Sequence, residues 1–202
     1  MNAYQNFLNF FSMHNKERLD GLSENYFIEM TPEERRMAFD YLLKRVETGG
    51  TEESVNGLFR ADSNRAVEPI KRFLANGTLN RRAQISAAWN LYQINGDKEL
   101  LLVFIRLMAD TDPEVRGKAA YYVPSNQFTN ELKSALQGMI RTETELTARI
   151  HAVDKLLECY RVTEESVGKE KYLSLYKALH NENIRGKERA FIYLEKLHEQ
   201  AR

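Results

Sequence analysis

Asp112-Pro113-Glu114-Val115-Arg116-Gly117-Lys118-Ala119-Ala120-Tyr121-Tyr122-Val123 reads as one helix with its start signal attached. Asp112 can accept from the free N–H groups of the first turn. Pro113 lacks the N–H that would go unsatisfied at the first helical position, and Glu114 complements the positive end of the helix dipole. Val115, Ala119 and Val123 recur every four residues and define one face with a small residue at its centre. A small side chain there lets a paired helix come close.

The same grammar recurs along the chain. Thr31-Pro32-Glu33-Glu34 is a second start signal, and Gly49-Gly50, Asn76-Gly77 and Asn95-Gly96 are stops suited to left-handed backbone. These signals predict helices over 3–13, 17–29, 32–47, 52–60, 63–75, 80–94, 97–109, 113–123, 129–141, 145–160, 164–180 and 186–200. No period-2 strand stands out. Leu100–Ile105 is apolar enough for one, but its charged flanks favour a buried helix. Tyr4, Phe7, Leu8 and Phe11 share one helical face, which reads as an N-terminal capping helix.

Ala119 has counterparts. Ala38, Ala87, Ala152 and Ala190 sit at matching places in their helices, and Ala87, Ala119, Ala152 and Ala190 are 32, 33 and 38 residues apart. Each of these four is preceded by an apolar helix, such as Leu102/Ile105/Met108 or Leu132/Leu136/Ile140. A helix pair of this kind cannot bury its apolar face alone, so neighbours stack. The 49 residues from Ala38 to Ala87 break the period. Residues 48–62 read as a short inserted helix, either a hinge or a degenerate repeat.

Composition bounds the class. The chain has 202 residues, 43% hydrophobic and 29% charged, with 29 basic and 29 acidic side chains and zero net charge. That suits a globular protein and gives no global nucleic-acid signature. Charge runs mildly acidic over 1–61, mildly basic over 62–142 and neutral over 143–202. No stretch approaches the ~20 apolar residues that span a bilayer, and the first residues do not read as a secretory signal. The expected location is therefore the cytoplasm. One cysteine, Cys159, excludes an internal disulfide framework.

The Asp112–Ala120 segment resembles the second-helix signature of HEAT and phycobilisome-lyase-type HEAT-like repeats, well over 62–160 and loosely over 17–47 and 161–200. The resemblance implies an all-α fold, an α-solenoid of about four to five degenerate helix pairs forming a single domain over 1–202. Residues 1–61 would be the cap and a degenerate repeat, 62–160 the clearest repeats, and 161–202 a capping repeat. It also implies that Arg116 pairs with an acid of an adjacent repeat. Arg149 matches that slot, Lys187 matches weakly and Gln84 departs from it.

The sequence carries no phosphate-cradling glycine loop, no zinc motif and no nucleophile–base spacing, so no catalytic, cofactor or metal residues are assigned. His151 and Asp154, three apart, read as an exposed pair. Cys159 reads as a packed apolar residue. In this repeat class second helices line the concave side, which assigns partner contacts to Trp89, Asn90, Lys118, Tyr121, Tyr122, His151, Lys155, Arg189 and Tyr193. Trp89 ranks first because its slot points most nearly away from the core. A small stand-alone bacterial protein of this style suggests a non-enzymatic binder of another protein. The concrete form is an immunity (antitoxin) protein that occludes a toxin domain. The runner-up is a DNA-binding or glycosylase-like HEAT protein using Trp89, Tyr121 and Tyr122 with Asp154 as the acid; neutral charge disfavours nucleic acid. A scaffold or lyase-like chaperone is third.

Overall fold

The computed structural model describes residues 2–13 and 21–200. His14 and the first part of the helix expected over 17–29 lie outside them. Among the described residues the chain is all α, with thirteen α-helices and no strand. It divides into two compact units, Met1–Asp97 and Lys98–Arg202.

The first unit holds α1 (Ala3–Phe10), α2 (Asn25–Ile28), α3 (Pro32–Glu47), α4 (Glu52–Ala61), α5 (Ser63–Ala75) and α6 (Arg81–Asn95). Helix α3 begins where Thr31 and Pro32 require it. Thr31 Oγ1 accepts from the Glu34 N–H, and Glu34 Oε2 accepts from the Thr31 N–H at 2.9 Å, a reciprocal capping box. Helix α1 packs on α2 and α3. Its Phe7 is fully buried, with ring centroids 5.6 Å from Phe27 and 5.7 Å from Tyr41.

The short helix expected over 52–60 is α4, which packs on α3, α5 and α6. Its small residue is Gly57, where a Cβ would come within 2.8 Å of Leu22 Cδ2 and 3.0 Å of Leu42 Cδ1. Gly57 lies 30 residues before Ala87.

The second unit opens with a 3-10 turn at Lys98–Leu100, where one helix over 97–109 was expected. It continues with α7 (Leu101–Leu107), α8 (Pro113–Tyr122), α9 (Asn130–Thr142), α10 (Leu146–Cys159), α11 (Glu164–Val167), α12 (Lys169–His180) and α13 (Ile184–Gln200). Helix α7 packs on α8 and α9, while α10 packs on α8 and α9. These are two stacked pairs, α7/α8 and α9/α10.

The last pair is turned around. The helix expected over 164–180 breaks at Gly168, whose φ of +85° no helix tolerates. Beyond that break α12 packs on α10, and α13 packs on α9. Arg141 of α9 bonds Glu188 of α13 at 2.6 Å, and Lys187 Nζ donates to the Ile140 carbonyl at 2.6 Å. Ala190 lines a groove against α12, although its spacing aligned it with Ala119 and Ala152. All the small-slot residues are buried: Ala87, Ala119 and Ala152 are 0% exposed and Ala190 is 4% exposed.

Candidate functional site

Five of the nine predicted contact residues come together on α8 and α10. Gly117 sets the spacing: a Cβ there would lie 3.1 Å from the Ala148 Cα and 3.3 Å from its Cβ. The two helices can therefore touch backbone to backbone at that level. His151, the next turn of α10, places Nδ1 3.1 Å from the Gly117 carbonyl oxygen. A carbonyl only accepts, so Nδ1 carries the proton in this contact. His151 is thus tied to α8 and forms no exposed pair with Asp154, as its spacing had suggested.

The Tyr121 ring stands against this histidine, 5.1 Å between centroids, and meets Tyr122 edge-on at 5.0 Å. Both tyrosines remain open to solvent, Tyr121 at 56% and Tyr122 at 36%. Lys118 lies 3.6 Å from Glu114, and Lys155 lies 2.6 Å from Glu158, which also accepts from Ser125 Oγ. The result is an aromatic centre with ion-paired lysines about it.

An ion pair beneath this face locks the two helix pairs together. Arg116 donates to Glu143 through Nε at 2.5 Å and Nη2 at 2.8 Å, and its Nη1 holds the carbonyls of Asp110 and Thr111. Glu143, between α9 and α10, is only 6% exposed and also caps the N–H groups of Thr144 and Glu145. The Arg116 guanidinium, with those N–H groups assisting against burial, holds its carboxyl below the usual range. Arg116 of α8 is thus paired with an acid between α9 and α10. Arg149 does not continue this pairing: its Nε is buried without a hydrogen-bond partner.

The other four candidates lie elsewhere. Trp89 and Asn90 are half-buried on α6 of the first unit. Asn90 Nδ2 donates to Asn56 Oδ1 and to the Ser86 carbonyl, both at 2.8 Å, so it bridges α6 to α4. Arg189 and Tyr193 belong to α13 and line a mostly apolar groove of about 450 Å³ against α12, floored by Leu175 and Ala190. The reversal of the last pair separates them from the α8–α10 row.

Reaction chemistry has few candidates. Burial pushes the Cys159 thiol up to about 12, so it is protonated and unreactive at neutral pH. Asp154 is exposed on α10; burial first, then its carboxylate, raises Tyr172 and Tyr176. Among the described residues, no group of three or more His, Cys, Asp or Glu side chains is placed to hold a metal ion. No described helix is long and apolar enough to cross a membrane.

Sequence reasoning passed over Gly117 and Glu143. The available signal for Gly117 was its position inside a helix, where glycine costs about 1 kcal/mol relative to alanine and calls for a packing reason. No protein-family model, no curated protein and no solved structure matches this chain.

Proposed function

We propose that this chain is a non-enzymatic protein-binding module of HEAT-like helix pairs, an α-solenoid, whose partner docks on the α8–α10 face around Tyr121. One observation carries the reading: an exposed aromatic ring, 56% open, 5.1 Å from a histidine that is itself tied to the neighbouring helix. Rigid Tyr side chains bring large contact area at little entropic cost, and Tyr, Trp and Arg dominate interface energetics. The HEAT-like assignment draws support from Gly57, Ala87, Ala119 and Ala152, spaced 30, 32 and 33 residues apart. Within this reading the specific form is an immunity protein acting by steric blockade of a toxin domain in the cytoplasm, which needs no reacting group.

The test is a titration against the product of the adjoining gene. A stoichiometric complex is expected, and Tyr121→Ala should weaken it by about 30-fold, the loss typical of an interface hot spot. Unchanged affinity in that variant, with the fold intact, removes this face from the interface. Salt-dependent binding of duplex DNA in place of a protein complex would favour the nucleic-acid alternative.

A further inference from the structure

The second unit contains a cavity of about 480 Å³ bounded by the α8–α9 loop, the end of α10, α11 and the end of α13. That volume lies within the usual range for small-molecule sites, roughly 300–1,000 Å³. The cavity shares none of the aromatic residues of the α8–α10 face, so its occupancy does not depend on what that face binds.

Three of its lining residues make an aromatic corner. Phe128 and Tyr160 meet edge-on at 4.8 Å, and His198 stands perpendicular to both, 5.6 Å from Tyr160 and 6.3 Å from Phe128. Tyr160 is fixed from behind: its hydroxyl donates to Glu195 at 2.7 Å, and Glu195 pairs with Lys133 at 3.0 Å. A second carboxylate, Glu158, is held by Lys155 at 2.6 Å. Both of these acids therefore already have a lysine.

Arg161 is different. It lines the cavity while remaining exposed, and it forms no ion pair among the described residues. Its backbone is at φ +55°, the only non-glycine residue with positive φ among those described. The position is the left-handed stop of α10, where the Val162 N–H donates to the Leu157 carbonyl at 2.9 Å. Glycine relieves that strain, and the left-handed positions Gly50, Gly77 and Gly96 all use it. Here an arginine stands where those stops use glycine.

We propose that this cavity binds a small aromatic carboxylate, with the ring against Phe128, Tyr160 and His198 and the carboxylate on the Arg161 guanidinium. A planar fork of N–H donors matches a carboxylate bidentately, and rings favour edge-to-face neighbours. The hydroxyls of Ser125 and Ser166 also line the cavity and can serve the polar end.

The experiment titrates the full chain with 1-naphthoate and its neutral counterpart 1-naphthamide, following amide shifts by two-dimensional NMR. The carboxylate is expected to bind at least tenfold more tightly, with shifts confined to residues 125–128, 159–167 and 197–198. Arg161→Gly should fold with an equal or higher Tm, because it removes the left-handed strain, and should lose that preference. Failure of 1-naphthoate to bind at millimolar concentration overturns the proposal, as does an Arg161→Gly variant that still prefers the carboxylate.

Discussion

The helix contacts α4–α6 and α8–α10 solve one packing problem with different chemistry. In the first unit amides and hydroxyls make hydrogen bonds about the contact. Asn90 of α6 bonds Asn56 of α4, Ser54 sits against its N-cap Thr51 at 3.1 Å, and Gln84 donates to the Leu79 carbonyl at 2.7 Å. In the second unit the position three before the small residue holds Arg116, which grips the preceding turn and also reaches Glu143 of the next pair. Both arrangements satisfy carbonyls of a turn. Each also joins two helix pairs, through the Asn90–Asn56 hydrogen bond in the first unit and the Arg116–Glu143 ion pair in the second, and the ion pair brings a sensitivity to charge loss.

Breaking that fastening should have the largest effect. Arg116→Met leaves Glu143 buried without its cation, and a loss of about 3 kcal/mol is expected from denaturant titration. A loss under about 1 kcal/mol would mean that the pair is no stronger than an exposed one. Next come the glycines. Gly117→Val drives two methyls into the α10 backbone and should destabilise by about 2 kcal/mol. Gly57→Ala meets only the tips of Leu22 and Leu42, and the alanine gains helix propensity. Its net cost should be about 1 kcal/mol or less. A reversed order would show that the side-chain tips are less able to yield than the α10 backbone.

The smallest effect concerns acid. His180 of α12 titrates below its ordinary 6.5, because burial first and the Arg149 charge next disfavour its protonated form. The unfolded chain takes a proton near that value which the folded chain refuses. The stability of the wild type should thus fall as pH drops from 7 towards 5. His180→Gln should flatten that slope when denaturant midpoints are compared at the two pH values. An unchanged slope assigns the acid sensitivity to another group.

Much of the candidate site was visible before folding was considered. Tyr121, Tyr122, Lys118, His151 and Lys155 share two helices whose registers were readable from Ala119 and Ala152. Their meeting depends on which helices are neighbours. Arg189 and Tyr193 had the same spacing credentials and were carried away on α13. Trp89, ranked first, is half-buried beside an asparagine that bridges two helices. Periodicity identifies a buried face; it does not name what covers it.

Local chemistry alone determined where helices start and stop and which small residues go inside. Caps, prolines, glycine stops and four-residue spacing act within a turn or two, so their energies are decided near the residue itself. Tertiary structure decided that α4 packs on α3, that the final pair turns over after Gly168, that Gly117 admits His151, and that Arg161 lines a cavity. Those outcomes depend on surfaces brought together from distant stretches, where a few tenths of an ångström of backbone clearance select one neighbour over another.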